Sequence, residues 1–181
     1  MNLFGYFEYY NKVKKFNQRE DYLKDIKASQ LLLEYCLSLT SSKNIFIIGT
    51  GLGGDVNIIK NFKKFKIVGV EPRHTFQEYS SRVYKKIEGT LFKMELGEFV
   101  KTKKKLSGIF LFIHSINHIP KKQIELLQKS IKNSYIIIVN PNPEIGRVVG
   151  KTDQTVISYL NAKQIQKLLN CEMVFDFFYN L

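Results

Sequence analysis

"NIFIIGTGLGGD", residues 44–55, joins a short apolar run to a cluster of glycines. An apolar run of this length, bounded by turn-forming residues, is typical of a buried strand. Glycines directly after it indicate a tight turn in which the backbone comes close to its neighbours. Asp55 follows, and aspartate is one of the residues that cap helix N-termini. The stretch therefore predicts a strand, a glycine loop and the start of a helix.

Further apolar runs of strand length follow the loop. They lie at 67–70, 109–113, 135–139 and 173–178, with a weaker run at 83–87. Helix-compatible stretches alternate with them, at 55–63, 75–84, 92–103, 120–131 and 161–169. Continuous apolar strands separated by helices are typical of a parallel sheet that is covered on both faces. We therefore expect an α/β fold with a doubly wound, mostly parallel sheet.

The residues before the loop are helical in pattern. Polar and apolar residues alternate with a helical period over 6–38, and no proline interrupts them. With 181 residues, the chain can bury a core as one domain, 1–181, made of an N-terminal helical segment, 1–43, and a core, 44–181. The aromatic stretch "LFGYFEYY" suits a lid in which Tyr9 and Tyr10 touch a substrate, and equally a helix packed on the sheet.

Composition limits the classes of protein to which the chain can belong. No apolar run approaches the roughly 18 residues of a membrane span, and two widely separated cysteines indicate neither a disulfide framework nor a metal site. We expect a cytoplasmic protein without a membrane anchor. The net charge of +12 leaves nucleic acid open as a partner. Lysines scattered along the chain, with few arginines, are also typical of solvated helix faces.

The ligand of the loop follows from its place in the sheet. In doubly wound sheets ligands bind outside the carboxyl ends of the strands, and the first strand-to-helix turn needs the glycines. The next apolar run, "KIVGVEP", ends in Glu71, twenty residues after Gly51. A carboxylate at that strand end is suited to accept hydrogen bonds from both ribose hydroxyls of an adenosine. We therefore expect an adenosine-containing cofactor.

Two cofactor templates fit the loop. Gly49, Gly51 and Gly54 match the G-x-G-x-x-G pattern of dinucleotide-binding domains, with Glu71 at the expected distance. Gly49, Gly51 and Gly53 match the G-x-G-x-G pattern of class I S-adenosylmethionine-dependent methyltransferases. The loop by itself leaves both open.

The sequence resembles the class I methyltransferases over nearly its whole length. "IFIIGTGLGGD" is similar to their first motif, "IVGVEPRHTFQEYS" to their second strand with its acidic end, and "GIFLFIHSINHIP" to their fourth strand and substrate-side loop. "SYIIIVNP" is similar to the fifth strand, and "YLNAKQIQKLLNCEMVFDFF" to the late helix and sixth strand of many small-molecule members. Blocks in this order, preceded by helical residues, favour a methyltransferase over a dinucleotide-binding domain.

The resemblance implies that the cofactor is S-adenosylmethionine (SAM). Its methionine part would lie against the loop, its ribose on Glu71 and its adenine beside Pro72. Glu88, Gly89 and Thr90 lie where the family's third strand ends, so Thr90 and Leu91 would flank the adenine ring. His114 and Ser115 would lie under the sulfonium and the transferred methyl group. The residues so implied for the cofactor are Gly49, Thr50, Gly51, Gly53, Glu71, Pro72, Thr90, Leu91 and Ser115. As departures, Ile47 replaces an acidic residue of many members, and the acidic residue that often ends the third strand is missing near Thr90.

The stretch "HSINHIP" holds the candidates for catalysis. His114 or His118 is a candidate general base because an imidazole titrates near neutral pH. Asn117 could orient a substrate amine or hydroxyl. Packing or cofactor contact is the alternative role for both histidines.

We expect methyl transfer from SAM to N or O of a small molecule, without a metal. The alternatives are an RNA methyltransferase, an NAD-binding domain and a non-catalytic cofactor-binding partner subunit.

Overall fold

A parallel sheet of five strands forms the centre of the molecule. The computed structural model describes residues 20–103, 105–139 and 162–172. The strands are β1 (Asn44–Ile48), β2 (Lys66–Val70), β3 (Thr90–Phe92), β4 (Ile109–Ile113) and β5 (Tyr135–Val139). All pairs are parallel, and the strand order is β3–β2–β1–β4–β5. The order reverses at β1, which confirms the predicted doubly wound α/β fold.

Helices cover both faces of the sheet, and along the chain they lie before or between the strands and after the last one. Helix α1 (Glu20–Leu39) and helix α2 (His74–Lys86) contribute to the core on one face, through Leu33 and Tyr84 respectively. The other face carries the helices α3 (Leu96–Lys101), α4 (Lys121–Ser130) and α5 (Ala162–Leu169).

Each strand divides its side chains between these two cores. Phe46 of β1 stacks on Phe110 of β4 at 4.5 Å between ring centroids, in the core under α3 and α4. Ile45 and Ile47 point to the opposite core, under α1 and α2. Every residue of β4 is buried because helices lie on both of its faces. This burial explains why the strands read as continuous apolar runs.

The structure corrects two local predictions. Residues 83–87, predicted as a weak strand, lie mainly in α2 or directly after it. The stretch 55–63 is not an α-helix: short 3₁₀-helices span Gly54–Ile58 and Phe62–Lys64, and Asn61 between them has a φ of 56°. Gly53, not Asp55, is the N-cap, and its φ of 83° suits a glycine.

The remaining predicted helices have described counterparts. Those at 120–131 and 161–169 are confirmed by α4 and α5, and the one at 92–103 is shortened to α3. The predicted strand at 173–178 and the aromatic residues Tyr9 and Tyr10 lie outside the described residues. Across the part of the chain that is described, no helix has the length and apolarity that a bilayer crossing requires.

Candidate functional site

A cleft of about 360 Å³ lies at the carboxyl ends of the central strands. Its wall is formed by the residues that follow β1, β2 and β4, and by the starts of α3 and α4. This is the position at which a doubly wound sheet binds its ligand. The polar and charged side chains on the wall are Thr50, Asp55, Glu71, Arg73, Glu95, His114, Ser115, His118 and Gln123.

The first glycine of the loop allows the ends of β1 and β4 to meet. Gly49 has a φ of 73°, and a Cβ atom built on it would lie 2.6 Å from Cβ of Ser115. Ser115 in turn donates a hydrogen bond from Oγ to the Ile48 carbonyl at 2.5 Å. On the other side, the Gly49 N–H donates to the Val70 carbonyl at 2.9 Å. Any side chain at position 49 would push these strand ends apart.

Gly51 faces open space, and both its backbone N–H and its backbone carbonyl are held by hydrogen bonds. A Cβ atom built on Gly51 would meet nothing within 4 Å, and the residue lines the cleft. Its N–H donates to Oε2 of Glu71 at 2.7 Å. Its carbonyl accepts a hydrogen bond from the hydroxyl of Ser80, a fully buried residue of α2. Ser80 Oγ also lies 3.1 Å from Oγ1 of Thr50, so α2 holds two successive loop residues.

Glu71 ends β2 and is only 3% exposed. Its Oε1 accepts a hydrogen bond from the Arg73 N–H at 2.9 Å, while Oε2 accepts from the loop at Gly51. Burial raises the pKa of this carboxyl above its usual value, and these two backbone N–H groups partly oppose the shift. The charge of Arg73 also lowers the pKa, whereas that of Glu95 raises it. Each oxygen keeps a further acceptor position for a ligand.

The remaining polar side chains come from the ends of β3 and β4. Glu95 follows β3 and is the N-cap of α3. Its Oε2 accepts from the Gln123 side chain at 3.3 Å, and Gln123 Oε1 accepts from the Gly97 N–H at 3.0 Å, which ties α3 to α4. His114, with a φ of 52°, and His118 form the opposite wall.

Most of the residues predicted for the cofactor and for catalysis line this cleft. They are Gly49, Thr50, Gly51, Glu71, Pro72, His114, Ser115 and His118. Gly53 does not line it: a Cβ atom there would lie 3.1 Å from Val83 of α2, so this glycine serves helix packing. Asn117 is buried and lies outside the cleft wall, so its position gives no support to a role in orienting a substrate.

The third strand does not end at residues 88–90, as predicted, and this displaces Thr90 and Leu91, which were expected to flank the adenine. Thr90 begins β3, and neither residue lines the cleft. The strand leads instead to Glu95 and Leu96, which do line it. An acidic residue therefore stands beyond the end of β3, although the sequence indicated that it was missing near Thr90. The signal that could have located it is the E-x-x-E pattern of Glu95 and Glu98, an N-terminal capping pattern of helices; the Glu95 N–H donates to Oε2 of Glu98 at 3.3 Å.

Sequence reasoning also missed Arg73, Phe76 and Gln123 on the cleft wall. Arg73 and Phe76 follow Glu71 in the turn into α2, and the Arg73 guanidinium carbon lies 5.6 Å from the centroid of the Phe76 ring. Gln123 belongs to a helix whose approach to the cleft no local pattern predicts.

Comparison with known proteins identifies the fold. No family model matches the sequence, and no curated protein does. Among solved structures, a SAM-dependent methyltransferase from Archaeoglobus fulgidus superposes with a TM-score of 0.67 at 19% identity, over 90% of this chain and 72% of that one. The plantazolicin methyltransferase BpumL, solved in complex with SAH, gives a TM-score of 0.63 at 16% identity, over 86% of this chain and 66% of that one. The chain has the fold of SAM-dependent methyltransferases.

A further match shares this fold. The PH0226 protein from Pyrococcus horikoshii OT3 gives a TM-score of 0.55 at 16% identity, over 71% of this chain and 62% of that one. This chain therefore spans less than two thirds of that structure. At such identities the likeness concerns the fold, and the activity has to rest on the cleft.

The raised pKa of Glu71 predicts a pH dependence of stability. Because the folded protein binds the Glu71 proton more tightly than the unfolded chain does, the contribution of this group to the free energy of unfolding is most favourable below the ordinary glutamate pKa. It declines as pH rises through the higher folded pKa. We expect the stability difference between wild type and Glu71→Gln, measured by urea unfolding, to fall over that window.

The control for this measurement is Glu78→Gln, which alters an exposed carboxyl on α2. If the difference for Glu71→Gln stays flat or grows with rising pH, burial does not dominate the ionisation of Glu71.

Proposed function

We propose that this protein is a SAM-dependent methyltransferase that acts on N or O of a small molecule. The observation that carries the proposal is the pairing of Gly51 with Glu71 at the base of the cleft. It places an open glycine backbone and a carboxylate side by side, one suited to the amino-acid part of the cofactor and the other to its ribose. The likeness of the fold to SAM-dependent methyltransferases supports the same choice.

The charges of the cleft favour SAM over a dinucleotide. Three carboxylates, of Asp55, Glu71 and Glu95, face the cleft with one arginine, Arg73. A net acidic cleft attracts the positive sulfonium of SAM and disfavours the pyrophosphate of NAD. Dinucleotide domains also hold that pyrophosphate at the N-terminus of an α-helix. Here a 3₁₀-helix of 5 residues follows the loop, with Asp55 in its first turn.

The residues of the cleft fit the parts of the cofactor. The backbone of Gly49, Thr50 and Gly51 would line its methionine part, and the free acceptor positions of Glu71 would receive the ribose hydroxyls. Beside Glu71, the apolar wall of Pro72, Phe76 and Leu96 suits a flat adenine ring. Ser115 lies where the loop meets β4, next to the predicted position of the sulfur.

When bound, SAM supplies a methyl group on a sulfonium, which is already electrophilic. The chain then has to place the acceptor atom in line with that methyl group and to receive the acceptor's proton. His114 and His118 face the cleft from the end of β4 and from the 3₁₀-helix Ile116–His118. We assign His118 as the first candidate to take the proton and His114 as the second.

The acceptor itself is the finer part of the proposal. The cleft of about 360 Å³ is near the lower end of the range for ligand pockets, which favours a small acceptor over a large one. The single domain, 1–181, and a contact of Tyr9 and Tyr10 with the acceptor stay predictions from the sequence, since both tyrosines lie outside the described residues. RNA is the second candidate acceptor, and the net charge of +12 favours it. The third candidate function is binding of the cofactor without transfer of its methyl group.

A ligand panel tests the cofactor. We expect SAM and S-adenosylhomocysteine (SAH), but not NAD(H), to raise the melting temperature of the full chain. Glu71→Ala should reduce the affinity for SAH, measured by titration calorimetry, by roughly tenfold or more because the ribose loses charged acceptors. Glu78→Ala is the control, since this exposed carboxyl lies away from the cleft. Stabilisation by NAD(H) alone would end the SAM proposal.

The Ser80 hydroxyl provides a sharper test of the loop. Ser80→Ala removes the donor to the Gly51 carbonyl, so the loop should lose its fixed orientation and SAH should bind several-fold more weakly, by about the worth of one hydrogen bond. Ser81→Ala is a matched control, because the Ser81 hydroxyl donates within α2 to the Gln77 carbonyl. We expect SAH affinity to remain at the wild-type value in Ser81→Ala. Equal losses in both variants would show a general effect on α2.

Transfer of a labelled methyl group separates the acceptors. We expect label from SAM to enter a metabolite extract rather than total RNA. If His118 takes the proton, His118→Ala should lower kcat roughly 100-fold or more while SAH affinity changes little. Equal loss of turnover and affinity would make His118 a cofactor contact. Label in RNA would favour RNA as the acceptor over a small molecule. Intact SAH binding without any methyl transfer would favour a non-catalytic cofactor-binding protein.

A further inference from the structure

The positive charge of the described residues is concentrated at one end of the sheet. Five segments lead into the five strands: 40–44, 61–66, 85–89, 101–108 and 129–135. Their described residues include eleven lysines and one acidic residue, Glu88. We call this end of the molecule the basic edge. Its lysines are all exposed: Lys43, Lys63, Lys64, Lys66, Lys85, Lys86, Lys101, Lys103, Lys105, Lys129 and Lys132.

Backbone hydrogen bonds join these segments into one surface. The Lys66 N–H donates to the Lys43 carbonyl at 2.8 Å, where β1 and β2 begin. The Lys132 N–H donates to the Leu106 carbonyl at 2.9 Å, which places the approaches to β4 and β5 side by side. Because all five strands are parallel, their amino ends share one edge of the sheet. The lysines, dispersed in sequence, are therefore brought to one end of the sheet, except that Lys103 reaches back to Phe92 at the end of β3, with Nζ 5.1 Å from the ring centroid.

The opposite edge, which carries the cleft, is electrically balanced. The segments that follow the strands, 49–55, 71–74, 93–98 and 114–122, contain as many acidic as basic side chains. The acidic ones are Asp55, Glu71, Glu95 and Glu98, and the basic ones are Arg73, Lys93, Lys121 and Lys122. The charge of the described strand ends is thus polarised along the strand direction.

Helix dipoles explain only part of this arrangement. Lysines are favoured in the last turn of a helix, and Lys85, Lys86, Lys101 and Lys129 lie there. The other seven lie in loops, in a 3₁₀-helix or at the start of β2. None of the eleven forms an ion pair with a described carboxylate, in contrast to Lys60, which pairs with Glu34.

We propose that the basic edge docks the phosphate backbone of a nucleic acid, at the end of the molecule opposite the cleft. Five strands at about 4.8 Å spacing span roughly 19 Å. One strand of a duplex carries a phosphate about every 3.4 Å along the helix axis, so a length equal to this width holds about five or six of its phosphates, of which those on the near side face the surface. Lysines repeated along that width can neutralise several of them and release their counterions. The docking leaves the cleft open and does not depend on which acceptor the cleft serves.

The composition of the edge sets the kind of recognition. It contains lysine and no arginine, and lysine acts as a point charge rather than as a bidentate reader of bases. Binding should therefore follow the backbone and depend little on sequence. An anionic membrane fits less well, since surface-binding elements insert apolar side chains. Among the described residues three large apolar side chains are exposed, Leu31, Tyr35 and Leu39 on α1. Leu39 adjoins the basic edge beside Thr40 and Tyr135, so apolar side chains are few there against eleven lysines.

Fluorescence anisotropy with a labelled RNA strand and a labelled DNA duplex tests the docking. The test variant is Lys63→Gln/Lys64→Gln/Lys66→Gln in the full chain. The matched control removes the same charge from exposed lysines at the cleft edge, Lys93→Gln/Lys121→Gln/Lys122→Gln. We expect the test variant to bind roughly tenfold or more weakly, with a salt slope smaller by about one per lysine removed. The control should stay within about twofold of wild type.

A second basic-edge variant distinguishes loss of charge from loss of folding as the cause of weaker binding. Lys43→Gln/Lys105→Gln/Lys132→Gln removes charge from the approaches to other strands and should weaken binding similarly. Melting temperature identifies any variant that has lost its fold. Equal weakening in the test and control variants would mean that net charge alone drives binding, and would overturn the proposal. So would a salt slope that is unchanged in both basic-edge variants, or binding to vesicles with anionic lipids without binding to either nucleic acid.

Discussion

The hydrogen bond from the Gly51 N–H to the Glu71 carboxylate links the ends of the first two strands at the base of the cleft. It is charge-assisted and largely shielded from water, which strengthens it relative to a surface contact. Its geometry depends on Ser80, which holds the Gly51 carbonyl from the other side. The loop is thereby fixed between a strand and a helix before any ligand is considered. Loop position and cleft shape follow from this arrangement, and its hydrogen bond partly offsets the rise that burial causes in the pKa of Glu71.

The absence of a side chain at position 49 has an equally local cause and a wide effect. Ser115 occupies the space that a Cβ atom of Gly49 would need, so β4 can end directly against the loop. The residues after β4 then bring His114 and His118 to the wall opposite Glu71. The proposed cofactor site and the two candidate proton acceptors thus line one cleft, although their residues lie far apart in the chain.

Parallel strands also give the molecule two chemically different ends. All amino ends lie on one side and all carboxyl ends on the other, so charges that alternate along the sequence separate in space. At the carboxyl end the cleft itself is lined by three carboxylates and one arginine, which suits a sulfonium cofactor. The amino end gathers exposed lysines without matching carboxylates. The proposed cofactor site and the proposed docking surface are therefore separated by the length of the strands.

Sequence patterns predict the secondary structure correctly where burial determines it, and incorrectly where backbone conformation determines it. The buried strands around β1 and β4 follow from their apolar runs. The segment after the loop looked helical by period, but Gly53, Gly54 and the left-handed Asn61 divide it into 3₁₀ turns. The third strand is short and at most half-buried, so its apolar signal is weak, and the predicted strand end at Thr90 lies two residues before the observed end at Phe92.

The sequence by itself determined the α/β class, the strands at the apolar runs 45–48, 67–70, 109–113 and 135–139, the glycine loop and the carboxylate at the end of β2. These features depend on residue type and short spacing, which the chain displays directly. Tertiary structure alone decided that Ser80, Arg73, Glu95 and Gln123 take part in the site, that Gly53 and Asn117 do not line it, and that dispersed lysines form one edge. Those outcomes depend on which elements pack side by side, and no short stretch of sequence encodes such long-range contacts.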